Sequence, residues 1–240
     1  MGNKSMEDIV VCKSCGLAGT GHYCFNCGQS LAVKRISFKS LLHEVAHFFT
    51  HMDKGIRYTL KELILHPGKM QLSYIEGKRI NHQKPFSMYF VSATVLGLVL
   101  YWINLLLITY FHAGDASEAS FFHEYMVIFL LLTIPFSALI TYVFFYNSGF
   151  NFSEISVFQL YTLSVFFLIV IFCNFLKLIW YDFETRYLEL PLVLIYNAIT
   201  FANFFPGSKW KIVVKSVLCA TIFFLAITFA QDYLVENFNR

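Results

Sequence analysis

From Pro85 onward the chain is a series of long apolar runs with short polar breaks, and this pattern narrows the fold more than any other feature. In hydrocarbon no water can satisfy a free N–H or C=O, so a segment that crosses a bilayer must close its backbone hydrogen bonds within itself, as a helix, or within a closed barrel. A helix needs about 20 apolar residues to cross, whereas a barrel strand needs about ten with strict alternation. The runs here are continuous and long, and they predict five helices. These are residues 86–111, 125–146 with Pro135 set to kink the second, 156–181, 188–205 and 211–231. The fourth is the weakest, because Asn197 and Asn203 interrupt it, and Ser153 is the expected N-cap of the third. Composition agrees: 57% of the residues are hydrophobic and 14% charged, against about a quarter charged in an ordinary soluble domain.

Charge sets the expected orientation. Twelve of the 18 Lys and Arg precede Pro85, the loop 112–124 carries three acids and no base, and "PGSKWK" at 206–211 is basic. No apolar core of a secretory leader occurs in the first 30 residues. The positive-inside rule then places the N-terminus in the cytoplasm and the C-terminus outside after five crossings.

Four of the six cysteines lie within 16 residues of one another, in "CKSCGLAGTGHYCFNCG". Cys12, Cys15, Cys24 and Cys27 form two C-x2-C pairs, followed by Gly16 and Gly28. A C-x2-C knuckle presents two thiolates to one side of a metal, and a Gly after it supplies the positive φ of a tight turn. Two facing knuckles complete a tetrahedron of sulfur, so the spacing reads as a structural zinc ribbon. Such a closed shell leaves no coordination position for catalysis. No βαβ pattern surrounds the pairs to suggest redox chemistry, and few basic or aromatic residues suggest nucleic acid. Cys173 and Cys219 lie alone in apolar runs and read as packed, inert thiols.

Between the cysteines and the spans lies a basic amphipathic stretch containing "HEVAHFFTH" at 43–51. Phe38, Leu41, Leu42, Val45, Phe48 and Phe49 recur at helical spacing and predict a helix over 38–51 with one apolar face. His43, His47 and His51 fall on the other face, four residues apart, so neighbours among them can share a metal. Glu44 stands where a His-Glu-x-x-His zinc hydrolase keeps its general base. The longer three-His pattern of one protease class is absent, and Glu62 and Glu76 are undistinguished as a third ligand. The preferred reading is therefore a surface helix at the membrane interface; a second metal site on His43, His47, His51 and Asp53 is the alternative. Leu60, Leu63 and Ile64 predict a further short helix ending before Pro67, with Asp53 as its candidate cap. Lys78, Arg79 and Lys84 precede the first span at head-group depth, where they anchor topology and can meet lipid phosphate.

The ordered series "CxxCG…GHYCxxCGQ", "HE…H…TH.DKG", "HPG" at 66–68 and "YIEGKR" at 74–79, followed by spans, resembles the domain of unknown function 3667 family of bacterial membrane proteins, found mostly in Bacteroidota. That resemblance is close over residues 12–90 and implies the ribbon, the multi-pass architecture and the inner-membrane location. It implies no catalytic residue.

The expected fold is thus an all-α multi-pass membrane protein with a zinc ribbon at 1–30, an amphipathic neck at 31–85 and a helical membrane domain at 86–240. The expected role is non-enzymatic: the ribbon and neck serve as a docking platform for a protein partner or lipid. A metal-dependent hydrolase built on residues 43–47 is the competing class. A small transporter ranks below both, because polar residues within the spans are few: Asn104, Gln159, Asn174, Lys177 and Asn197.

Overall fold

A computed structural model describes residues 9–41, 55–112, 126–181 and 183–238. The N-terminal part is a small antiparallel hairpin, β1 (Val10–Val11) paired with β2 (Ala18–Gly19) in the register Val10↔Gly19 and Val11↔Ala18. Two short helices follow, α1 (Ile56–Leu65) and α2 (Lys69–Ile75). Five apolar helices then complete the chain: α3 (Pro85–Phe111), α4 (Met126–Phe144), α5 (Phe152–Phe175), α6 (Arg186–Phe204) and α7 (Lys209–Phe238).

Four of these, α3, α5, α6 and α7, are long and apolar enough to cross a membrane; α4 is apolar but shorter over the residues whose side chains are described. All five expected segments are helical. The fourth expected span meets the length criterion, although it is the least apolar of the four. The start of α5 differs from expectation. Its N-cap is Asn151, not Ser153: the Asn151 side chain accepts from the Glu154 N–H at 2.9 Å, and Glu154 Oε2 accepts from the Asn151 N–H at 2.9 Å. This reciprocal box satisfies two otherwise orphaned donors, so helix begins at Phe152, four residues before the apolar run does.

Helix α5 is the central helix. In its apolar window 72% is buried, against 39% in α3 and 33% in α6 and α7. Three of its hydroxyls fold back onto the preceding turn, Ser156 to Phe152 O, Thr162 to Phe158 O and Ser164 to Leu160 O at 2.8–2.9 Å, so none of these three is stranded in the apolar interior. Between helices, Tyr89 donates to Leu130 O at 2.5 Å, and Gln159 donates to the Thr141 hydroxyl. Without a hydrophobic driving force in lipid, such bonds and close packing hold helices together.

The short helices pack against one end of this bundle. Leu63, Met70, Tyr74 and Ile75 join a buried cluster with Phe145, Phe158, Phe201, Phe204 and Phe205. Within it Phe145 and Phe205 stack at 4.0 Å, and Phe158 and Phe204 lie 4.2 Å apart. Aromatic pairs of this kind add about 0.5–1.5 kcal/mol each beyond area burial. Polar links lock the same interface: Asn203 donates to Pro67 O at 3.0 Å and Tyr161 to Gln83 O at 2.6 Å. Gly68, with φ +82°, sits so close to α6 that an added Cβ would lie 2.2 Å from Thr200 O. The buried residues of α1 and α2 thus face the bundle, while Tyr58, Ile64 and Leu65 of α1 remain exposed.

Candidate metal centre and its membrane clamp

The two knuckles have the same backbone wiring. In the first, Cys12 N–H donates to Leu17 O and Gly16 N–H to Cys12 O, both at 2.9 Å; in the second, Cys24 N–H donates to Gln29 O at 2.8 Å and Gly28 N–H to Cys24 O at 2.9 Å. Gly16 and Gly28 have φ of +78° and +74°. Nothing crowds either position, so the need for glycine there is conformational rather than steric. The turns bring the four sulfurs within 4.8 Å of one another, with Cys12 and Cys27 Sγ 3.6 Å apart and Cys15 and Cys24 Sγ 3.5 Å apart. Four cysteines so placed could hold one metal ion.

The electrostatics of the first knuckle favour thiolate. A backbone N–H from Leu17, helped by neighbouring side-chain donors, lowers the Cys15 thiol to about 6 against the opposing effect of burial. The Cys15 N–H likewise lowers Cys12. At Cys27 the Gln29 N–H acts in the same direction, but burial and the three nearby sulfurs outweigh it and push the thiol up to about 12. Four sulfurs at this separation cannot all carry charge unaided. A cation at their centre removes that conflict, because coordinated thiolates are deprotonated.

This module is fastened to the neck by Gln29, which is buried. Its Nε2 donates to Gly77 O at 2.6 Å, and its Oε1 accepts from the Arg79 and Ile80 N–H groups at 3.2 and 3.3 Å. The next residues are fastened to the bundle. Arg35 makes a two-pronged pair with Glu154, Nε to Oε1 at 2.7 Å and Nη2 to Oε2 at 2.8 Å, and also donates to Gly149 O. Asn151, the cap of α5, donates to Ile36 O at 3.1 Å. Glu154 is 5% exposed on its side chain and Arg35 62%, so the base reaches in from solvent to neutralise a buried acid.

Of the three basic residues expected at head-group depth, Lys78 is exposed and Lys84 partly buried. Arg79 is occupied within the protein: its guanidinium lies 5.6 Å over the Tyr74 ring and donates to Tyr74 O and Lys34 O. Glu62, weighed above as a third metal ligand, lies 3.0 Å from His66 Nδ1 one turn on. The expected helix over 38–51 begins as read. Residues 38–41 are helical, Ser37 and Ser40 cap each other's N–H groups at 3.4 and 3.0 Å, and Leu41 is buried in the bundle-end cluster. His43, Glu44, His47, His51 and Asp53 lie outside the described residues. Gln29, Arg35 and Glu154 escaped the sequence reading. For the last pair the available signal was "NFSE", an N-cap box whose acid also accepts Arg35.

Comparison with known proteins gives a family and little else. No curated protein and no solved structure matches. A family model described as "Protein of unknown function (DUF3667)" matches residues 53–97. That segment holds α1, α2, the Gly77–Arg79 turn that Gln29 grips, and the first half of α3. On this match residues 53–97 belong to the domain of unknown function 3667 family.

Proposed function

We propose that the protein is a bacterial inner-membrane platform whose zinc ribbon, held rigidly on the cytoplasmic end of the bundle, presents a docking surface to a protein partner. In this reading residues 1–30 are the ribbon, 31–85 the neck and 86–240 the membrane domain. Zinc fits the donor set: four thiolates at Zn–S distances of about 2.3 Å stand about 3.8 Å apart in a tetrahedron, close to the separations here. The metal supplies folding energy to a segment whose own buried cluster is confined to Cys12, Cys24 and Leu31 among the described residues. Lys78 and Lys84 face lipid phosphate beside the neck, and Arg79 supports the ribbon there.

The observation that carries the docking role is the apolar exterior of the module. Ile9, Val11, Tyr23 and Phe25 are 74, 60, 69 and 79% exposed, and Leu17 of the same module is exposed too. An apolar group of this kind on a segment clamped at Gln29 and Arg35 is the signature of an interaction surface. A photo-crosslinking amino acid placed at Tyr23 or Phe25 in living cells tests it. A discrete protein adduct that disappears when Cys24→Ser is added supports the platform. Adducts confined to lipid, or unaffected by the loss of the cysteine, refute it.

A further inference from the structure

At the end of the bundle away from the cysteine module lies a cavity of about 120 Å³, several times the roughly 10–15 Å³ that one water requires. Each of α3 to α7 contributes to its lining. Its walls are apolar, with Leu100, Phe129, Phe167 and Phe224 among them. Polar side chains also line it, Lys177, Glu184 and Arg186 among them, and three buried ones come from different helices: Asn104 on α3, Asn174 on α5 and Glu189 on α6.

These three are 6, 7 and 7% exposed. The Asn104 amide has no hydrogen-bond partner among the described residues. Asn174 uses its Nδ2 on Val170 O at 2.9 Å and Glu189 Oε1 at 3.2 Å, which leaves its own oxygen as an acceptor. Glu189 forms no ion pair among the described residues. The guanidinium of Arg186 pairs with Asp232 through two bonds at 2.8 and 2.5 Å and lies 3.6 Å from Glu184; it acts on Glu189 from a distance, and the Thr185 hydroxyl is the near polar neighbour of that carboxylate. Lys177 lines the mouth and is partly exposed, where water screens it. An ionised carboxylate at this depth costs several kcal/mol unless a cation meets it, and an ionisable group in a membrane helix marks a functional site by default. An apolar pocket with a few convergent acceptors is the usual form of a small-ligand site.

We propose that this cavity binds a small primary ammonium with a short apolar tail, the ammonium held by Glu189 and by the Asn174 and Asn104 oxygens, the tail against the aromatic wall. The site is independent of the metal reading, since none of its residues touches the cysteine module.

The test uses the full chain in phosphatidylcholine nanodiscs, with thermal unfolding followed against butylammonium chloride, butan-1-ol and sodium butyrate. Butylammonium is expected to raise the melting temperature saturably and the other two much less. Glu189→Gln keeps the shape and removes the charge, and should weaken butylammonium at least tenfold while metal content is unchanged. Asn104→Leu fills the cavity, provides a second variant should the first fail to fold, and should abolish the response. Discs containing phosphatidylethanolamine separate two sources of the same chemistry. If that lipid suppresses the butylammonium response, the natural amine is a lipid headgroup; if it does not, the amine is a free molecule. Equal responses to the alcohol, a preference for butyrate, or undiminished affinity in Glu189→Gln overturns the proposal.

Discussion

Replacing Gln29 with Leu should free the cysteine module from the neck without emptying it of metal. The side chain makes three hydrogen bonds, to Gly77 O at 2.6 Å and from the Arg79 and Ile80 N–H groups at 3.2 and 3.3 Å. Each is worth about 1 kcal/mol net, and stranding a buried backbone group adds to the loss. The apolar replacement recovers some packing, so the total is about 2–4 kcal/mol. The ratio of docked to undocked module should fall about 30- to 1,000-fold, at about 1.4 kcal/mol per factor of ten. Hydrogen–deuterium exchange reads this at the two amides concerned. Arg79 and Ile80 should lose protection, while the Cys24 and Gly28 amides, whose acceptors are backbone oxygens inside the knuckle, should keep theirs. Unchanged exchange at residues 79 and 80 would refute the clamp. Loss of protection throughout the knuckle would show that Gln29 supports the module's fold rather than its position.

Gly68→Ala places a Cβ 2.2 Å from Thr200 O on a backbone with φ +82°, and the clash and strain together should cost about 2–6 kcal/mol; an unchanged melting temperature would show that α2 and α6 are not packed as described. His82, between Tyr58 and Tyr74, is shifted down by burial, which Glu62 only partly opposes. Its unfolded form takes up a proton near pH 6.5, so stability present above that value should fall as pH drops from about 6.5 toward the lower folded value. In His82→Phe that part of the loss should vanish, and identical pH profiles for the two proteins would refute the assignment. A reporter fused after Arg240 should be active only in its periplasmic form; cytoplasmic activity would mean that one apolar helix, α6 being the least apolar of the four long ones, does not cross.

The helical membrane architecture was legible because lipid leaves the backbone so few options: the five apolar runs had to be helices, and only their ends were free to differ. The Asn151 cap shows how an end moves. The expected span starts at Ser156, but the capping pair starts the helix four residues earlier, at Phe152. The knuckles were legible for a related reason, since a C-x2-C-G turn closes within six residues and depends on nothing distant. Gln29 was not, because its partners lie 48 to 51 residues away and a lone Gln carries no periodic signal. Glu189 was overlooked for the opposite reason. A single acid in "YLELPL" hardly changes the hydropathy of its span, and its meaning appears when Asn104 and Asn174 arrive beside it from other helices. The apolar stripes of the neck were visible, but periodicity cannot say whether such a stripe meets lipid or protein. Here Leu63, Met70 and Tyr74 meet Phe158 and Phe204.

Metal content of the purified full chain is the decisive quantity. Measured by plasma mass spectrometry on protein prepared under reducing conditions, it should be one zinc per chain, lost in Cys24→Ser and retained in His43→Ala and His47→Ala. No metal in the native chain would contradict the ribbon; two per chain, with one lost in each His variant, would replace the platform with a metalloenzyme.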